Sequence, residues 1–281
     1  MTRKVQLPLI QNVGPNQRVT IRVPLGLTYN KIVLFLGGNI NTALITNIVW
    51  RLNGAERIRW NTAAQMVAAN GYNRLLASDP QALEFNFIEP RAKDEAAMTL
   101  GAYAATAEAG VQDLVLEFDL GTYTVTAAST VKAVAEVDVP SANRLIVRNR
   151  FTQRVLGGAT EEQIILPSGM NGEQIKRMYF FGTLAQLNFV RVRREGADEF
   201  ESITQAQAEF FQKSYQKVPQ AGLFVVDFTE HDLMGHMLNT ASIIGADGKP
   251  KVIQNLDIRL NVNAGGTWNI YTESITTNDR P

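Results

Sequence analysis

The residues best equipped for chemistry in this chain fall between positions 227 and 236: Asp227, Glu230, His231, Asp232 and His236. The two histidines are the only ones present, five positions apart. That spacing places them on different faces of a helix, whereas H-E-x-x-H needs a spacing of four with a glutamate after the first histidine. Two solvated loop histidines are the expectation. Asp227, Glu230 and Asp232 carry oxygens of the kind calcium takes, but not in the D-x-D-x-D-G register of a calcium loop. The sequence has no cysteine, which excludes disulfides, thiolate nucleophiles and cysteine-ligated metals.

Other reactive patterns are missing or bland. No G-x-G-x-x-G, P-loop or G-x-S-x-G occurs, and Gly245-Ala246-Asp247-Gly248-Lys249-Pro250 imitates a phosphate loop but reads as a β-turn. Glu161 and Glu162 sit in a polar stretch and read as a solvated face. Arg144, Arg148, Arg150 and Arg154 form the densest basic stretch and alternate with Leu145, Val147 and Phe151. A strand's polar face or a subunit contact accounts for them better than nucleic-acid binding does. On such a strand Arg144, Arg148 and Arg150 share one face, while Leu145 and Val147 point into a second barrel. The expectation is a protein that is not an enzyme, with no catalytic residue, cofactor or metal site.

The elements around these residues are mostly strands. Val19, Ile21 and Val23 alternate with polar residues, as do Leu114, Leu116, Phe118 and Leu120, while Ile45, Ile48 and Val49 lead into Trp50-Arg51-Leu52. Asn53-Gly54 supplies the positive φ angles of a tight hairpin turn. Helices are predicted over 62–77, carrying Met66, Ala69, Leu75 and Leu76, and over 204–216, carrying Ala206, Phe210, Phe211 and Tyr215. Each opens on a T-x-x-Q capping box, Thr62 with Gln65 and Thr204 with Gln207. The lack of βαβ alternation argues against a parallel α/β sheet, and an all-β sandwich or jelly roll with a helical insertion is predicted.

The pattern occurs twice. Pro24, Gly26 and Ile32 recur with the same spacing as Pro167, Gly169 and Ile175. Gly54-Ala55, the Thr62 box and the Leu114–Leu120 alternation recur at Gly196-Ala197, Thr204 and Leu256–Val262, all three at the offset that separates Gly54 from Gly196. That offset is close to half the chain. The chain therefore reads as two copies of one domain, 1–139 and 140–281, each an eight-stranded jelly roll with a short helix. Its 281 residues suffice for two domains of about 140, each able to bury a core. With 27 Lys+Arg against 27 Asp+Glu the net charge is zero, which argues against a surface dedicated to nucleic acid. The N-terminus shows no apolar signal core and no stretch approaches about 18 apolar residues, so neither secretion by a recognisable signal nor a membrane span is expected.

Several segments carry a resemblance: Ile45-Thr46-Asn47-Ile48-Val49-Trp50-Arg51-Leu52-Asn53-Gly54 running into the capped helix, Phe85-Asn86-Phe87-Ile88-Glu89-Pro90, Leu114-Val115-Leu116-Glu117-Phe118-Asp119, Pro219 to Phe228, and Trp268-Asn269-Ile270-Tyr271-Thr272-Glu273. Their order resembles the major capsid proteins of tailless, membrane-containing icosahedral bacteriophages, the double jelly-roll lineage, and is most similar to the corticovirus-like coat proteins. The resemblance implies a homotrimer forming a pseudo-hexagonal capsomer of a virion shell around an internal lipid membrane. It further implies neighbouring capsomers, penton and minor capsid or membrane proteins as partners, peripheral contact with that membrane, no specific nucleic acid, and synthesis in the host cytoplasm. The family has no catalytic residues to transfer.

Rival readings have weaker support. A bicupin enzyme also fuses two jelly rolls, but two histidines in one loop cannot build its metal sites. A minor capsid, spike or carbohydrate-binding jelly-roll protein is the alternative. Glycan sites need exposed aromatic platforms, whereas Trp50, Trp60 and Trp268 lie in or beside apolar strand patterns.

Overall fold

The structure, a computed structural model, describes residues 3–8, 10, 12–74, 79–166, 172–244 and 248–278. Two compact units divide it: residues up to Arg150 together with those from Thr277 onward, and Phe151–Thr276.

In the first unit the period-two segments become strands β1 (Arg3–Gln6), β2 (Arg18–Arg22), β3 (Thr28–Leu36), β4 (Ile45–Leu52) and β5 (Ala55–Thr62). Helix α1 (Ala63–Tyr72), β6 (Ala82–Asn86), a short α2 (Glu95–Met98), β7 (Tyr103–Ala104), β8 (Leu114–Leu120) and β9 (Val131–Asp138) follow. They form two four-stranded sheets, β2-β8-β4-β5 and β1-β9-β3-β6, with β7 beside β3. The alternation in β8 is realised residue by residue, since Leu114, Leu116, Phe118 and Leu120 are buried and the residues between them are not.

Strand β10 (Leu145–Leu156) carries the chain onward. The second unit then adds β11 (Thr160–Gln163), β12 (Gln174–Phe181), β13 (Leu187–Arg194), β14 (Ala197–Ile203), α3 (Gln205–Ser214) and β15 (Leu223–Asp227). After these come β16 (Leu238–Asn239), β17 (Ser242–Ile244), β18 (Pro250–Val252), β19 (Leu256–Val262) and β20 (Gly266–Thr277). The sheets are β11-β19-β13-β14 and β10-β20-β12-β15, with β16 beside β12 and β17–β18 a separate hairpin. Strand for strand this repeats the first unit, β10 standing for β1 and β20 for β9. Each unit is an eight-stranded jelly roll with a helix after its fifth strand.

The repeat is strict through the middle of each roll. β13, α3 and β19 begin and end at one constant offset from β4, α1 and β8, the same offset that relates Gly196 to Gly54. Both hairpins turn on a left-handed pair, Asn53 and Gly54 with φ of 51° and 77°, Glu195 and Gly196 with φ of 53° and 83°. A type I′ turn requires this at both central residues, and it matches the twist of the strands it joins.

Toward the ends of each roll the offset drifts. Lys31 pairs with Asn86, the last residue of β6, while Arg177 pairs with Asp227, the last residue of β15. The equivalent of Lys31 is therefore Arg177, and not Glu173 as the constant offset would have it. The sequence match of Ile32 with Ile175 is accordingly out of register. A Pro-x-Gly turn recurs wherever a chain must bend and does not set strand register; Pro167 and Gly169 themselves lie outside the described residues.

The helices are shorter than predicted, and Leu75 and Leu76 fall outside the described residues. α1 buries Ala63, Met66, Ala69 and Tyr72. α3 buries only Ala208 and Gln212, while Phe210 and Phe211 are exposed. At Thr62 the hydroxyl accepts from the Gln65 amide at 3.3 Å. At Thr204 the box is complete: its hydroxyl accepts from the Gln207 amide at 3.4 Å, and its amide donates to Gln207 Oε1 at 2.9 Å. Thr204→Ala is expected to cost about 1 kcal/mol. Equal melting curves for parent and variant would show that the cap carries no weight.

Candidate functional site

The loop flagged by the sequence follows β15. Asp227 is held from two sides: Arg177 Nε donates to its Oδ2 at 3.1 Å, and the amide and hydroxyl of Thr229 donate to its Oδ1 at 2.8 and 2.9 Å. Asp232 accepts from Lys217 Nζ at 2.7 Å. The His231 ring lies 3.9 Å, centroid to centroid, from Tyr215 at the C-cap of α3 and 6.0 Å from His236. Glu230 lies 3.7 Å from His231. Burial, with the Asp227 carboxylate adding and Lys217 opposing, raises the Glu230 pKa to about 7. This carboxyl's contribution to stability is therefore full below the unfolded pKa and lost as pH rises through about 7.

The acids of this loop are engaged by basic and hydroxyl partners. Among the described residues no group of three or more His, Asp or Glu converges as a metal cage.

A second set of charges escaped the sequence reading. Lys176 and Arg177 are consecutive in β12, yet both are buried. A bulge between Ile175 and Arg177 in the pairing with β20 breaks the alternation there. Both side chains reach Glu273: Lys176 Nζ at 2.5 Å and Arg177 Nη1 at 3.8 Å. Tyr179 Oη donates to the same carboxylate at 2.6 Å. The sequence shows two adjacent basic residues and nothing about a bulge.

The arginine stretch departs from expectation. Val147, expected in the core of the second barrel, is buried but is not among that roll's core residues; its backbone amide donates to Gly101 and its backbone carbonyl accepts from Tyr103 Oη at 2.5 Å, both in the first unit. Ile146, which shares parity with Arg144 and Arg148, is buried, as are Val147 and Asn149. The strand is thus covered on both faces here, and Asn149 pairs with Ile58 in parallel. Arg148 lies near enough to the buried Tyr103 to oppose the rise that burial imposes on its pKa. Glu161 is not a free acid but pairs with Arg191 at 2.9 Å and Arg259 at 3.6 Å. Trp50, Trp60 and Trp268 are all buried, so none forms an exposed platform. In the imitated phosphate loop, 245–247 lie outside the described residues.

Two devices recur in both rolls. The first clamps the hairpin turn to the segment before β8 or β19. Asn53 Oδ1 accepts from the amides of Gln112 and Asp113 at 2.7 and 3.2 Å. Glu195 Oε1 accepts from those of Gln254 and Asn255 at 2.5 and 2.7 Å. The second docks the helix: Asn70 Nδ2 donates to the Glu84 carbonyl and Gln212 Nε2 to the Val225 carbonyl, each at 2.8 Å. Asn53 with Glu195, and Asn70 with Gln212, share the offset of Gly54 and Gly196, so the repeat was the signal that could have found them.

The clamp is built from a neutral amide in one roll and a titrating carboxylate in the other. The backbone amides of Asn255 and Gln254 hold Glu195 below the usual carboxylate range. Its contribution to stability is present above the unfolded pKa, about 4.3, and disappears as pH falls through the lower folded value. Glu195→Gln should therefore flatten the loss of stability on acidification below about pH 4.5 relative to the parent. Urea titrations at successive pH values check this, and equal slopes would refute it.

Two eight-stranded jelly rolls in tandem, matched down to a turn clamp and a helix dock, define a double jelly-roll protein. Family models for the viral coat protein P2 N-terminal domain and C-terminal domain match residues 4–138 and 147–278. The chain belongs to this viral coat protein family. No curated protein sequence matches significantly.

Solved structures share the fold at low identity. The major capsid protein P2 from bacteriophage PM2 is similar with a TM-score of 0.84 at 19% identity, over 99% of this chain and 98% of that one. The STIV MCP gives 0.67 at 12%, over 99% and 97%, and the PBCV-1 virus capsid model 0.60 at 12%, over 98% and 93%.

Proposed function

We propose that this coat protein is the major capsid protein of an icosahedral virion and assembles as a homotrimer into pseudo-hexagonal capsomers. The observation that carries the reading is the strand-for-strand duplication. Three copies of two similar rolls present six similar edges, which lets nearly equivalent contacts tile a hexagonal lattice. Such a protein supplies buried area between copies and not a reactive site. On this reading it has no enzymatic activity and needs no cofactor or metal for catalysis. Its partners are neighbouring capsomers, penton and minor capsid or membrane proteins, and an internal membrane met peripherally. It is made in the host cytoplasm and resides in the virion. The duplicated units are 1–139 and 140–281, a division supported by the family models, which end at 138 and resume at 147.

Native mass tests the proposal. The purified chain should run near three times 31.0 kDa. A stable monomer under conditions that favour assembly would overturn the trimer.

A further inference from the structure

α3 is the second roll's counterpart of α1, and the two differ in what they leave outside. Phe210 and Phe211 are 70% and 52% exposed, with their rings 5.9 Å apart in an edge-on pair. The residues of α1 that correspond to them by the repeat are Ala68 and Ala69. The helix is seated by Ala208 and by the Gln212 hydrogen bond to Val225, so the phenyl rings contribute little to docking it. The first roll folds with alanine at both places, Ala69 being buried there, and the two aromatics that the second roll leaves exposed at these places ask for a partner.

We infer that the Phe210–Phe211 face of α3 is a contact between copies of this chain. The inference rests on the reading that the chain assembles with itself, and it assigns part of that contact to named residues. Charge favours this occupant over an anionic one. Glu209 accepts from Gln205 at 2.6 Å and lies 3.5 Å from Lys213, which leaves no cationic surplus on the helix to meet phosphates. A chain of zero net charge also sets no long-range repulsion between copies. Area agrees: two phenyl side chains exposed to this degree offer roughly 250 Å², a fraction of the roughly 800 Å² each partner contributes to a stable interface. The pair is therefore an anchor within a larger contact, the role aromatic residues commonly take. Its presence in one roll alone makes the two rolls unequal in assembly.

The test compares the full chain with Phe210→Ser/Phe211→Ser and with Phe210→Ser alone. Native mass, particle formation, thermal melting and flotation with phosphatidylcholine/phosphatidylglycerol vesicles are followed for each. The expected result is an unchanged melt with self-association weakened about tenfold or more in the double variant, and part of that loss in the single. Equal assembly by parent and both variants overturns the inference while leaving the capsid reading intact. Loss of vesicle binding with unchanged self-association also overturns it, in favour of a membrane contact. A parent that never assembles overturns the capsid reading, and this inference falls with it.

Discussion

Arg177→Ala destabilises the second roll by about 3–5 kcal/mol, because it takes a guanidinium partner away from a buried carboxylate. Arg177 and Asp227 have side chains 1% and 0% exposed. The Thr229 amide and hydroxyl that also hold Asp227 are dipoles and not charges, so they cannot replace the cation. Glu273 loses Arg177 as well and keeps Lys176 and Tyr179. Desolvating a carboxylate costs several kcal/mol, and a Coulomb partner in a low-dielectric site is what offsets it. The same reasoning predicts that Arg177→Met combined with Asp227→Leu recovers a large part of the loss, since neither member of the pair then buries a charge. Urea unfolding followed by circular dichroism measures both. A single-variant cost below about 1 kcal/mol, the surface-pair range, would show that water reaches Asp227 and that the pair is not buried in effect.

Trp50→Ala costs the first roll about 3–5 kcal/mol by opening a cavity in its core. The Trp50 ring is fully buried, 4.9 Å from Phe87 and 5.4 Å from Tyr103, and these two are 4.9 Å from each other. Tyr103 is itself tied to the Val147 carbonyl, so this cluster cannot collapse into the space without breaking a buried hydrogen bond. Trp50→Phe should be far milder. It removes an indole N–H that is buried without a hydrogen-bond partner among the described residues, so part of the lost packing is offset. An alanine variant as stable as the phenylalanine variant would mean that the three-ring cluster repacks, and the cavity argument would fail.

Much of this architecture was legible before any coordinates. Leu114 to Leu120 announces a half-buried strand, Asn53-Gly54 a tight hairpin turn, Thr204 with Gln207 a helix start, and the one offset shared by Gly54, Thr62 and Leu114 a duplicated roll. Each of the first three is a local property: side chains alternate along a strand, positive φ selects Gly and Asn, and a cap joins residues three apart. Repetition then converts local signals into a statement about domains. The tertiary structure alone decided matters in which the partners are distant. Asp227 lies 50 residues from Arg177, and Glu273 lies 97 from Lys176. No periodicity marks such pairs, and a bulge overrides the periodicity that would have sent Lys176 and Arg177 to opposite faces. The surroundings of the arginine stretch and of the Phe210–Phe211 pair are set in a related way. Apolar spacing states that a residue can be buried, whereas the surface that arrives to cover it is chosen by the rest of the chain: Val147 is buried without joining the core of the second roll, and Phe210 met solvent.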